Sequence, residues 1–65
     1  MTQKQKKVFD FIKSFLKDNG YSPSQMEIAG ALGVTQGTVR QHIKQLKDRG
    51  FIASKPGFIR SLEIV

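Results

Sequence analysis

Apolar side chains recur at helical spacing in three separate stretches of the chain. The first stripe consists of Val8, Phe9, Ile12, Phe15 and Leu16. A shorter second stripe consists of Ile28, Ala29 and Leu32. The third lies in the stretch GVTQGTVRQHIKQL, residues 33–46, and consists of Val39, Ile43 and Leu46. Such spacing places each set on one face of a helix, so the pattern predicts three helices that each bury one side.

Polar residues in front of each stripe predict where the helices begin. Thr2 with Gln5, and Ser24 with Glu27, have the spacing of a capping box, in which each side chain binds the other residue's backbone amide. Thr35 is suited to be the N-cap of the third helix. Glycines follow the three stripes and predict the helix ends, at Gly20, Gly33 and Gly50.

The residues after Gly50 predict a β-hairpin. The stretches FIAS and FIRSLEIV flank KPGF, where proline at the second position and glycine at the third favour a type II turn. Adjacent strand residues point to opposite faces, so at least one of Phe58 and Ile59 is expected to be exposed near the tip. Two interpretations stay open: a cross-strand pair with Phe51 or Ala53, or a surface for a partner such as a second copy.

Three helices and a hairpin account for the whole chain and indicate an α+β fold that is mainly α. With 65 residues, of which 38% are hydrophobic, we expect one small core and a single domain over residues 1–65. The chain has no cysteine and one histidine, so no disulfide or multi-ligand metal site is expected. The stripes are too short to cross a bilayer, which predicts a soluble, cytoplasmic protein.

Basic residues outnumber acidic ones, and the excess is larger in the second half. Residues 1–34 carry five basic and three acidic residues, whereas residues 35–65 carry six and two, giving a formal net charge of +6 overall. This balance suits a polyanion such as double-stranded DNA, although it also serves solubility. The acids are scattered and no base partner for a serine is evident, so we expect neither catalysis nor a cofactor or small-molecule ligand.

The connection between the second and third helices is the most specific feature. Only Val34 and Thr35 separate Gly33 from the next helix, which predicts a steep angle between the helices. Ala29 is small where the axes approach, and Val34 is expected to fill the corner between them. The stretch QMEIAGALGVTQGTVRQHI therefore resembles the helix-turn-helix of bacterial and phage repressors.

The resemblance extends to nearly the whole chain. The stretches QKKVFDFIKSFLKDNGYSPSQMEIAGALG, HIKQLKDRGFI and RSLEIV resemble the N-terminal DNA-binding domain of LexA, the repressor of the bacterial SOS response. That resemblance implies a winged helix-turn-helix whose third helix enters the major groove and whose two-stranded C-terminal hairpin is a wing against the DNA backbone. Two departures stand out. The turn is one residue shorter, and Arg40 and Gln41 replace the acidic residues usual in the family.

The outward flank of the third helix supplies candidates for reading bases. Arg40 can pair with guanine, Gln41 with adenine, and Thr38 can contact a thymine methyl group. Gly37 would allow a close approach at the cost of helix propensity. The predicted base-reading residues are Thr35, Gln36, Gly37, Thr38, Arg40, Gln41 and Lys44. Lys47 and Asp48 are expected to be solvated.

Other elements supply candidates for phosphate contact. The start of the second helix presents free amides to an anion, and the wing carries basic residues. The predicted backbone contacts are Tyr21, Ser22, Ser24, Gln25, Lys55 and Arg60.

These features predict a small bacterial or phage repressor, with a homodimer on a palindromic operator as a possible arrangement. The self-cleaving C-terminal part of LexA is not expected from this sequence. The alternative is a winged-helix module that binds proteins through the third helix or the wing.

Overall fold

Three helices precede a small antiparallel sheet in the computed structural model, which describes residues 1–55, 57 and 60–65. The elements are α1 Gln3–Asn19, α2 Gln25–Leu32, α3 Gln36–Asp48, β1 Ile52–Ala53 and β2 Glu63–Ile64. This order confirms the predicted mainly helical α+β fold, a winged helix-turn-helix with a two-stranded wing. No helix in the described part of the chain is long and apolar enough to span a membrane.

The helices begin where the capping patterns predict. In α1 the Gln5 amide donates to Thr2 Oγ1 at 3.1 Å, and the Thr2 amide donates to Gln5 Oε1 at 3.2 Å. The same reciprocal pair joins Ser24 and Glu27 at the start of α2, at 3.1 and 2.9 Å. Thr35 Oγ1 caps α3 by accepting the backbone amide three residues ahead. Each cap satisfies backbone amides that a helix start leaves without partners.

The helix ends agree with the sequence at two glycines and differ by one residue at the third. The ends of α1 and α2 are at Gly20 and Gly33. In α3 the C-cap is Arg49, and Gly50 follows it with φ +78°. The Phe51 amide donates back to Leu46 O at 3.0 Å, which needs the left-handed conformation that glycine adopts without strain.

The core lies where the three helices meet the wing. Its buried apolar side chains are Val8, Ile12, Ile28, Ala29, Val39, Ile43, Leu46, Ile52 and Leu62. The partly buried side chains packed against them include Phe9, Leu16 and Leu32, so most of the predicted stripes face inward, although Leu32 is less covered than expected. Phe15 of the first stripe instead packs edge-on against Tyr21, and Phe11, outside that stripe, packs against the core. Ile52 and Leu62 show that the wing also closes the core, which the helical pattern alone did not predict.

The side chain in the turn between α2 and α3 does not fill the corner, contrary to our expectation. Val34 is 42% exposed, whereas Ala29 is 7% exposed. The contribution of Val34 is through its backbone, since its amide donates to Ala29 O at 3.1 Å. The short turn is therefore held by backbone hydrogen bonding and leaves its apolar side chain at the surface.

The wing pairs two residues on each strand, fewer than the flanking stretches suggest. Ile52 lies opposite Ile64 and Ala53 lies opposite Glu63. Beyond this ladder a side chain joins the two segments: the Lys55 amide donates to Ser61 Oγ, and Ser61 Oγ donates to the Lys55 carbonyl, each at 3.1 Å.

The predicted turn at the wing tip falls partly outside the described residues. Gly57 has φ +83°, which suits the third position of a type II turn. Pro56, Phe58 and Ile59 lie outside the described residues, so the turn type and the two interpretations of Phe58 and Ile59 stay predictions.

Candidate nucleic-acid interface

Helix α3 buries one flank and exposes the opposite one. Val39, Ile43 and Leu46 are at most 5% exposed. Of the predicted base-reading residues, Thr38 is half-buried, and those exposed are Thr35, Gln36, Gly37, Arg40, Gln41 and Lys44. The polar flank is therefore available to a partner along the length of the helix.

A polar contact joins α3 to α1 beside the apolar core. The Gln5 Nε2 group donates to Gln45 Oε1 at 2.6 Å, and Gln5 is 4% exposed. His42 is half-buried on the same helix, and its Nδ1 has no hydrogen-bond partner among the described residues. The sequence did not predict the hydrogen bond from Gln5 to Gln45, because the capping box with Thr2 already accounted for a glutamine at position 5.

The threonines at the start of α3 bind each other. Thr35 Oγ1 and Thr38 Oγ1 lie 2.9 Å apart, and the Thr38 amide donates to Thr35 Oγ1 at 3.2 Å. Since one of the two hydroxyl groups donates to the other, this pair orders the first turn of the helix. The Thr38 methyl group does not take part in these hydrogen bonds.

Gly37 lies in open space on the exposed flank. A Cβ atom at this position would meet only Thr35 Oγ1, at 4.0 Å. The packing of the chain therefore does not require glycine here. Glycine is unfavourable in a helix by up to about 1 kcal/mol relative to alanine, so this residue lowers the intrinsic stability of α3.

The segment before α2 is partly turned inward. Tyr21 is 51% exposed and Gln25 is half-buried, whereas Ser22 and Ser24 are buried. Ser22 Oγ donates to Pro23 O at 2.9 Å and accepts the Leu62 amide at 3.0 Å. The two serine hydroxyl groups thus bind within the chain, one to the wing and one as the N-cap of α2.

Arg60 brings the wing to this segment. Its Nη1 donates to Ser22 O at 3.0 Å and lies 2.6 Å from Glu27 Oε1. Its guanidinium carbon lies 5.1 Å from the centroid of the Tyr21 ring. The pKa of Glu27 is lowered, first by the hydrogen bond from Arg60 and next by that from the Ser24 amide. Tyr21, Ser22 and Arg60, predicted separately, therefore form one cluster.

A groove of about 440 Å³ lies between α3 and the wing and brings together predicted site residues from α2 and α3. It is lined by Gln25, Arg40, Ile43, Lys44, Lys47, Asp48, Ser54, Ser61 and Leu62. Lys47, which we expected to be solvated, is exposed and also lines this groove with Arg40 and Lys44. The spacing of these three basic residues along one helix face could have revealed it. Lys55 and Arg60 line a smaller cavity of about 210 Å³ on the wing.

Comparison with known proteins identifies the family. The LexA DNA binding domain model matches residues 1–61. The chain is 40% identical over 65 residues to the LexA repressor of Thermosipho melanesiensis and 41% identical over 66 residues to that of Oceanobacillus iheyensis. Both matches take in all of this chain, which spans 33% and 32% of the length of these relatives. The chain belongs to the LexA DNA-binding domain family.

Proposed function

We propose that residues 1–65 act as one sequence-specific double-stranded DNA-binding unit of a bacterial or phage transcriptional repressor. The observation that carries this proposal is the division of α3 into a buried flank and an exposed polar flank. Membership of the LexA DNA-binding domain family supports it. In this proposal α3 lies in the major groove and occupation of the operator blocks transcription.

The exposed side chains of α3 suit direct reading of bases. The Arg40 guanidinium can donate two hydrogen bonds to guanine, and the Gln41 amide can pair with adenine. Thr38 offers a methyl group to thymine, and Gly37 removes a side chain where the helix would approach the groove edge. The resemblance to the family implies acidic residues at the positions of Arg40 and Gln41, so we propose that the preferred operator differs from that of typical LexA.

Backbone contacts are proposed for four side chains around α3. Gln25 is half-buried at the start of α2, where helix amides favour an anion, and the exposed Tyr21 lies in the segment before it. Lys55 and Arg60 are exposed on the wing. We add Lys47, because the groove beside α3 places it next to the proposed base-reading residues. Ser22 and Ser24 would act by holding this segment in place, since their hydroxyl groups bind within the chain.

Selection from a randomised duplex library, followed by footprinting, tests the proposal. One enriched sequence should be protected, and its affinity should fall with salt at a logarithmic slope near −4.5 if about five phosphates are contacted. A palindromic winner would indicate two copies of the chain on one operator. Failure to enrich or protect any duplex, with a nearly flat salt dependence, would contradict DNA binding and favour a protein-docking module.

A further inference from the structure

Glu27 places a carboxylate beside residues that we propose to contact phosphates. A negative charge here would by itself weaken binding to a polyanion. Among the described residues the carboxylate has two partners: Glu27 Oε1 accepts the Ser24 amide at 2.9 Å and lies 2.6 Å from Arg60 Nη1. One oxygen therefore joins the start of α2 to the wing.

The wing has few other attachments near its tip in the part that the structure describes. Its strands pair over two residues each, and a pair of strands this short is marginally stable by itself. The returning segment meets the body at Ser22, where Arg60 Nη1 donates to the carbonyl and the Leu62 amide donates to Oγ. Ile52 and Leu62 anchor the base of the wing in the core, and beyond them the position of the returning segment depends on contacts at Ser22 and at the start of α2.

We propose that Glu27 and Arg60 form a latch that positions the wing relative to α3, so that the acidic side chain strengthens binding to the preferred DNA site. Both are positioning residues in this role. The inference rests on the proposed function for its effect on DNA, whereas its effect on the wing can be measured in the free protein.

The geometry allows Arg60 to hold the latch and still face DNA. A guanidinium group has five N–H donors, and the contacts to Glu27 and Ser22 use Nη1. Its Nη2 and Nε groups can then donate to a phosphate. The side chains of Arg60 and Glu27 are 43% and 38% exposed, respectively, so solvent screens the pair. Loss of the latch should therefore change the affinity for DNA by only about twofold to fivefold.

Substitution Glu27→Gln tests the latch by the sign of its effect. Glutamine can keep the capping box with Ser24, because its side-chain oxygen also accepts the amide. The substitution raises the formal net charge by one from +6, so charge alone predicts tighter DNA binding. The latch predicts about twofold to fivefold weaker binding to the selected site.

Asp10→Asn is the matched control, since Asp10 is exposed on α1 and its substitution changes the net charge equally. It should bind the selected site as well as or better than the unmodified chain. If Glu27→Gln binds as tightly as Asp10→Asn, the latch is overturned.

Arg60→Lys gives a second test, because it keeps the charge but loses the planar group that reaches two acceptors. We expect it to weaken the selected site at least as much as Glu27→Gln, because it also removes donors that can reach a phosphate. Adding Glu27→Gln to Arg60→Lys should cause no further loss. Losses that multiply would show that the two side chains act independently and would overturn the latch.

Amide hydrogen exchange in the free protein separates the latch from the proposed function. Exchange at Leu62 should be faster in Glu27→Gln and Arg60→Lys, while exchange at Leu46 in α3 stays unchanged. Unchanged exchange at Leu62 would overturn the latch. If the unmodified chain binds no duplex but the two substitutions still speed exchange at Leu62, the proposed function is wrong and the attachment of the wing is supported.

Discussion

Gln5 in α1 donates its side-chain amide to Gln45 in α3 at 2.6 Å, across 40 residues of sequence. Gln5 is almost fully buried, so it would be costly to leave this amide without a partner. Gln45 is half-buried and lies one helical turn after the exposed Gln41, so the contact borders the exposed flank. It therefore couples the orientation of the proposed reading helix to the stability of the fold.

Gln45→Ala should destabilise the protein by about 1–3 kcal/mol, because it leaves the buried Gln5 amide unpaired. Gln41→Ala on the exposed flank of the same helix is the control, expected to change stability by less than about 0.5 kcal/mol while weakening DNA binding. Urea unfolding followed by circular dichroism measures both. Equal loss of stability in the two variants would contradict this interpretation of the contact.

Arg40→Ala should cost about 1–3 kcal/mol of binding free energy on the preferred duplex and relax the choice at one base position. Lys55→Ala should weaken preferred and random duplexes to similar extents, because a phosphate contact carries no base information. Titration of both variants against a selected and a scrambled duplex measures the difference. If each variant loses equally on both duplexes, the division between reading and backbone residues is wrong.

Gly37→Ala should stabilise the free protein but weaken its binding to the preferred duplex. A methyl group fits in the free chain and improves helix propensity, but it would stand where the groove edge approaches. Gly30→Ala is the matched control, since Gly30 is also an exposed helical glycine with open space around it. Each should gain up to about 1 kcal/mol in unfolding free energy. Only Gly37→Ala should lose affinity, and unchanged binding by this variant would remove Gly37 from the interface.

Acid should abolish the stability difference between the unmodified chain and Glu27→Gln. The pKa of Glu27 is lowered in the folded protein, chiefly by Arg60. A carboxyl group of this kind contributes its full stability above its unfolded-state pKa and loses it as the pH falls through the lowered value. We expect a constant difference near neutral pH that disappears below the usual carboxyl range. Urea unfolding at several pH values measures it, and a difference that persists in acid would contradict the assignment.

Much of the fold could be predicted because its signals are local. The capping boxes at Thr2 and Ser24 each lie within three residues, and the buried flank of α3 follows from helical spacing alone. The same locality explains the error at Val34. An apolar residue in a short turn suggests burial, but the backbone of α2 already closes the turn.

The contacts of the candidate site were harder to predict because they join distant residues. Arg60 meets Ser22 across 38 positions, and the Leu62 amide meets the same residue across 40. The sequence predicted that Arg60 and Ser22 each contact a phosphate of DNA, but it did not predict that they bind each other. Residue type reveals what a side chain can donate, whereas only the fold determines which partner receives it.

The turn at Gly50 also has a consequence for how the molecule meets a duplex. The Phe51 amide still binds Leu46 O in the last turn of α3, and β1 begins at the next residue. Only residues 49–51 separate α3 from β1. We expect α3 and β1 to meet the duplex in the conformation that they already have in the free protein, so association requires no folding step. The association rate is then governed by diffusion and by attraction between opposite charges.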